Sequence, residues 1–314
     1  MNEFRDVGGA RLHDLGLDDL AWAPAENFLG LPEGDSRLDT AAVVILPVPY
    51  EATVSYMGGT RFGPRGILHA SRYVELYDHE LDSEPYRVGI HTLPELMLSG
   101  GGPEAALATL RRAMDTLLET GKFVVMLGGE HSISGPAILS HADRVDGELS
   151  VLQLDAHADL REEYEGSPLS HACVMYRVHD RVRLAPVGIR SLTREERELM
   201  HRRGIVPIWG HEIEHASWVD RVLDQLGDDV YVTVDVDYFD PSVVPATGTP
   251  EPGGGSWYPA LELLSAVFRE KRVVGCDVVE FAPLAGHVAS DFLVAKLVYK
   301  LIGLYGRSGL GRGR

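Results

Sequence analysis

The stretch Leu152-Gln153-Leu154-Asp155-Ala156-His157-Ala158-Asp159 admits few structures. Its apolar beginning predicts a buried strand, and its end carries a potential metal ligand at every second residue. Residues two apart along an extended segment project to the same side, so Asp155, His157 and Asp159 can converge where the strand runs out. Two other strand-like runs finish in the same manner. Residues 123–127 lead into Gly128-Gly129-Glu130-His131-Ser132, and Val232-Thr233-Val234 leads into Asp235-Val236-Asp237.

Helical patterns separate these runs. Strands are predicted at 43–47, 123–127, 150–154, 185–189, 205–209, 231–236 and 273–279. Helices are predicted at 65–76, from Pro103 to a cap at Gly121, after Gly135-Pro136, and over 193–203, 217–226, 257–269 and 288–304. Continuous Val/Ile/Leu strands alternating with helices predict a single-domain three-layer α/β/α fold with a mainly parallel central sheet. In such sheets ligands bind beyond the carboxyl ends of the strands, where all three ligand-bearing segments fall. Residues 1–40, with a short helical possibility at 15–22, are expected to be a surface or subunit-contact segment. Residues 41–305 are the expected catalytic domain, and the Gly/Arg-rich 306–314 a flexible basic tail.

The 47 acidic and 29 basic residues give a formal charge of −18, which argues against a nucleic-acid surface and is compatible with a cationic substrate, although plain solubility accounts for it as well. No apolar run reaches the length of a membrane span, and the first residues lack a signal-peptide core. A soluble, cytoplasmic protein is expected. Its two cysteines, Cys173 and Cys276, read as buried free thiols.

Four aspartates and two histidines form a hard, oxygen-rich donor set that suits Mn²⁺ better than structural zinc. Four clustered carboxylates repel one another unless about four positive charges sit among them, and two divalent cations supply that charge. A metal pair about 3.5–4 Å apart also lowers the pKa of a bridging water.

The motifs Gly128-Gly129-Glu130-His131-Ser132, Asp155-Ala156-His157-Ala158-Asp159 and Asp235-Val236-Asp237-Tyr238-Phe239-Asp240-Pro241, with Thr247-Gly248-Thr249-Pro250-Glu251-Pro252-Gly253-Gly254, resemble the signatures of the ureohydrolase family of arginases and agmatinases. The resemblance implies an arginase-like fold, two Mn²⁺ per subunit, a homotrimer or homohexamer, and hydrolysis of a guanidine to urea and an amine. It assigns His131, Asp155, Asp159 and Asp235 to one metal, and Asp155, His157, Asp235 and Asp237 to the other. Asp159 would also carry a proton to the leaving nitrogen, and His171 falls at the family's proton-shuttling histidine. Glu280 matches the carboxylate that pairs with the substrate guanidinium. Thr247 and Thr249 are expected either to shape the loop or to donate to the substrate or a ligand carboxylate. Two departures stand out: Ala172 where many relatives have Gly, and Phe281-Ala282 where Val-Asn or Val-Ser is usual.

The loop Leu160-Arg161-Glu162-Glu163-Tyr164-Glu165-Gly166-Ser167-Pro168-Leu169-Ser170 lacks Asn and has three glutamates, which favours a small guanidine with a cationic tail over one with a carboxylate. The loop also resembles that of agmatinases, as does the run Gly59-Thr60-Arg61-Phe62-Gly63-Pro64-Arg65, so agmatine, hydrolysed to putrescine and urea, is the first expectation. Aminopropylagmatine, giving spermidine, is the runner-up, and arginine and guanidinobutyrate rank below. A non-catalytic metal-binding homologue is disfavoured by the complete set of His171, Glu280 and ligands. A dinuclear phosphoesterase is disfavoured by acidic rather than basic surroundings.

Overall fold

The computed structural model describes residues 25–308, so the helical possibility at 15–22 and most of the basic tail lie outside the described residues. Eight strands form one sheet: β1 (Val43–Val48), β2 (Ile90–Thr92), β3 (Phe123–Gly128), β4 (Ser150–Leu154), β5 (Arg183–Ile189), β6 (Ile208–Trp209), β7 (Asp229–Asp235) and β8 (Arg272–Val279). Their order is β2-β1-β3-β8-β7-β4-β5-β6, and every pairing is parallel.

Alternation along each strand divides the core in two. Phe123, Val125 and Leu127 of β3 join an apolar cluster with helices Gly63–Ser71, Trp218–Leu223, Trp257–Glu270 and Val288–Arg307. Val124 and Met126 join a second cluster with helices Pro103–Leu118, Ser134–Ala142, Val174–Val178 and Arg194–Arg203. Both faces of the sheet are thus covered, which is why its strands are mostly apolar on both sides. The expected three-layer α/β/α arrangement is what the structure shows. Cys173 and Cys276 are buried and free, and no helix among the described residues is long and apolar enough to cross a membrane.

Several boundaries differ from the sequence expectation for local reasons. The helix expected over 65–76 is Gly63–Ser71. Past Ser71 the chain turns, and Tyr299 on the last helix donates to the Leu76 carbonyl at 2.5 Å, drawing that segment into tertiary contact. Strand 205–209 shortens to Ile208–Trp209 because Ile205 serves the preceding helix cap. Gly204 takes the left-handed conformation (φ 69°) and the Ile205 N–H donates to the Met200 carbonyl. Edge strand β2 has only three residues and no apolar run to announce it. The last helix continues to Arg307, two residues into the expected tail.

Strands β3, β8, β7 and β4 are consecutive in the sheet, and their carboxyl ends carry His131, Glu280, Asp235 with Asp237, and Asp155 with His157 and Asp159. Segments more than a hundred residues apart in sequence thereby share one crevice.

Candidate metal centre and its cavity

His131 opens a single turn after β3. The preceding Gly129 leaves no room for a side chain, since a Cβ there would lie 1.8 Å from the Tyr50 carbonyl oxygen. The turn directs His131 Nδ1 to 3.2 Å from Asp155 Oδ2, 2.9 Å from Asp159 Oδ2 and 3.5 Å from Asp235 Oδ2. His157 Nδ1 lies 2.8 Å from Asp237 Oδ2 and 3.8 Å from Asp155 Oδ1. Two donor groups result, His131/Asp155/Asp235 and Asp155/His157/Asp237, each with its atoms within 4.8 Å of one another. Asp155 belongs to both, and Asp159 reaches the first through His131. All six residues singled out in the sequence are brought together.

The electrostatics point to missing positive charge. Burial, with Asp159 and Asp237 nearby, pushes the Asp155 carboxyl up to about 7. Burial, with Asp237 and Asp155, pushes Asp235 well above the carboxylate range. Burial also raises Asp237, but His157 outweighs it and brings that carboxyl down to about 2. Glu280 is driven well up by burial. The fit to a cation pair rests on one atom in particular. His131 Nδ1 is buried and makes no hydrogen bond although three carboxylates face it, as expected of a nitrogen whose lone pair is reserved for a metal.

A buried polar chain fixes that choice of nitrogen. Tyr231 and Thr233 donate their hydroxyl protons to Asp277, at 2.8 and 2.6 Å. The Thr233 oxygen, 2.9 Å from His131 Nε2, must then accept, so Nε2 carries the proton and Nδ1 is free. Gln153 supports the neighbouring ligand by donating to Asp155 Oδ2 at 2.9 Å. Neither Asp277, Thr233 nor Gln153 is recognisable from sequence spacing alone.

Beside the centre lies a cavity of about 210 Å³ whose walls include Ser55, Asp159, His171, Thr249 and Glu280. The Glu280 Oε1 accepts from the His131 N–H at 2.6 Å. Asp159 and Glu280 both adopt left-handed backbone, with φ 53° and 60°. The Thr247 hydroxyl is buried without a partner. Phe281 and Ala282 are buried, Phe281 in the apolar core, and neither belongs to the cavity wall.

The loop after Asp159 contributes Arg161 and Tyr164 to the wall, whereas Glu162, Glu163 and Glu165 are exposed and do not line it. The glutamates expected to favour a cationic tail therefore face away from the cavity, a direction that composition does not carry. Arg161 rests over the Tyr164 ring at 4.7 Å and within 4.0 Å of Glu196. Glu196 accepts from the Leu160 N–H at 2.9 Å while completing a capping box with Thr193. The Thr193-x-x-Glu196 spacing was a legible signal for that role.

The sequence profile of the arginase family matches residues 41–303. The chain belongs to the arginase family. With relatives named agmatinase and aminopropylagmatine ureohydrolase, it is a ureohydrolase of that family, in keeping with the motifs above. One member, the N(1)-aminopropylagmatine ureohydrolase of Synechocystis sp., is 40% identical over 276 residues, covering 85% of this chain and 90% of that one. The agmatinase of Pyrococcus horikoshii is 35% identical over 279 residues, covering 85% and 93%. Among solved family structures, the agmatine ureohydrolase of Thermoplasma volcanium superimposes with a TM-score of 0.82 at 27% identity, covering 96% of this chain and 100% of that one.

Proposed function

We propose that this family member hydrolyses the guanidine of an agmatine-like polyamine, N1-aminopropylagmatine foremost, releasing spermidine and urea. The observation that carries the guanidine reading is Glu280, a buried carboxylate at the wall of a small cavity beside the metal-ligand cluster. A carboxylate accepts two parallel N–H groups from a planar guanidinium and so fixes its carbon. The longer substrate is supported by the 40% identical relative of that activity, against 35% for the agmatinase. Agmatine itself is the second reading, favoured by that agmatinase and by the agreement with a solved agmatine ureohydrolase. On sequence it ranks first through the resemblance of the loop after Asp159 to that of agmatinases, but the three glutamates of that loop do not line the cavity.

His131, Asp155, Asp159 and Asp235 would hold one divalent cation, and Asp155, His157, Asp235 and Asp237 the other, with manganese matching the oxygen-rich set. When bound, such a pair lowers the pKa of a water between its ions. The protein's own part is orientation and proton movement. Glu280 holds the guanidinium, water adds to its carbon, and the bond from that carbon to the polyamine nitrogen breaks. The departing nitrogen must gain a proton, and Asp159, on the cavity wall, takes one from the adding water and passes it to that nitrogen. His171, on the same wall, carries protons between the site and solvent.

Urea release with added Mn²⁺ from aminopropylagmatine, agmatine, arginine and guanidinobutyrate tests the assignment. A higher kcat/KM for aminopropylagmatine is expected. Fastest turnover of agmatine would select the second reading, and fastest turnover of arginine would overturn the substrate class.

A further inference from the structure

His171 opens a single helical turn whose surroundings are tightly specified. Its N–H donates to Thr53 Oγ1 at 3.0 Å. Its ring nitrogens face three hydroxyls: Thr53 at 3.4 Å and Ser170 at 3.3 Å from Nδ1, and Ser55 at 3.4 Å from Nε2. Thr53 and Ser55 come from a loop with no regular structure, about 118 residues away in the chain. One group organises that loop. Glu130, completely buried beside His131, accepts from the N–H groups of Ala52 and Thr53 at 2.5 and 2.7 Å, from the Thr53 hydroxyl at 2.7 Å and from the Ser132 hydroxyl at 2.6 Å.

We infer that Glu130, acting through Thr53, is the positioning residue for His171. The chemistry of the donors sets the direction. Thr53 has a single hydroxyl proton, and Glu130 takes it. The Thr53 oxygen therefore presents only lone pairs to His171, accepting its backbone N–H and favouring a proton on Nδ1. Nε2 is left with its lone pair on the Ser55 side, where the cavity lies. Glu130 thus connects the turn that carries one metal-ligand candidate to the orientation of the proposed proton carrier. The inference rests on the proton-carrying role proposed for His171.

The test is a double-mutant cycle on the manganese-loaded protein, with Thr53→Val, Thr53→Ser, His171→Asn and the double variant Thr53→Val/His171→Asn. Thr53→Val should lower kcat by about tenfold or more, a part of the ~10²–10⁴ that general acid–base groups contribute, with KM and bound manganese unchanged. Thr53→Ser should restore kcat. In the His171→Asn background Thr53→Val should have no further effect, because its action passes through the missing imidazole. A normal kcat for Thr53→Val, or the same loss in both backgrounds, would overturn the positioning role. A normal kcat for His171→Asn would instead remove His171 from the proposed reaction. Glu130→Gln should follow Thr53→Val, and the cycle does not depend on that buried substitution folding.

Discussion

Replacing Thr233 by Val tests the polar chain behind His131 while nearly preserving shape. The hydroxyl is the acceptor for His131 Nε2–H at 2.9 Å and the donor to Asp277 at 2.6 Å, and all three residues are fully buried. Removing it leaves a ring N–H without an acceptor, costing about 1–3 kcal/mol, and deprives a carboxyl group of one hydrogen bond of about 1.5–3 kcal/mol. The added methyl returns about 0.8 kcal/mol. Asp277 keeps the Tyr231 hydroxyl at 2.8 Å, which limits the second loss. A net destabilisation of about 3 kcal/mol follows. At 2–4 °C per kcal/mol for somewhat shorter chains, the melting temperature of chelator-treated protein should fall by roughly 5–10 °C. With Nδ1 no longer reserved, metal affinity should fall by about 10–100-fold, as for other partners of ligating histidines. Calorimetry or dichroism reads the first quantity and competition with a fluorescent chelator the second, with Thr233→Ser as the recovering control. A valine variant with wild-type melting and metal affinity would refute the assignment of the His131 proton to Nε2.

Three further outcomes are expected. His141 is buried, which depresses its imidazole from 6.5 to about 4. The unfolded chain therefore takes up a proton that the native state refuses, so stability is complete above pH 6.5 and declines by about 3 kcal/mol as pH falls toward 4. Urea denaturation across that window should show a shallower acid slope in His141→Gln. Arg190 donates to the carbonyls of Gly188, Asp237, Tyr238, Glu251 and Pro252. Arg190→Lys, with one nitrogen in place of a planar fork, should destabilise by about 3 kcal/mol and open residues 240–255 to limited proteolysis. Finally, Asp235→Asn should lose both bound metal and urea release, whereas Glu280→Gln should keep metal but not turnover, as elemental analysis beside a urea assay would show.

What the sequence reveals about this molecule follows the range of its interactions. β3, β4, β7 and β8 are visible because burial on both faces makes most of their positions apolar, a pattern complete within one segment. Asp155, His157 and Asp159 are visible because their every-second spacing after an apolar run points to one side of an extended segment, although β4 ends at Leu154 and Asp159 is brought in by its left-handed backbone. By contrast, Thr53 and Glu130 are 77 residues apart, and Thr233 and Asp277 are 44 apart. No spacing rule links such pairs, since the sheet order brings them together. β2 is hidden for a related reason: its three residues are strand only because β1 offers a ladder edge. The exposed Glu162, Glu163 and Glu165 illustrate the opposite error, in which local composition is legible but its orientation is not.

The two carboxylates assigned to the reacting groups also mark where local preference is overruled. Asp159 and Glu280 both hold left-handed backbone, a conformation that costs a non-glycine residue about 1–3 kcal/mol. An extended continuation of β4 or β8 would keep their side chains in the alternation of the strand. The left-handed bend instead re-aims each carboxyl: Asp159 toward His131 Nδ1 at 2.9 Å, and Glu280 across to the His131 N–H at 2.6 Å. One histidine thus receives both, through its ring and its backbone. Glycine would relieve the backbone at either position but delete the carboxyl. The strain therefore persists where charge must be placed off the strand axis, and the rigid sheet beneath supplies the stability that tolerates it.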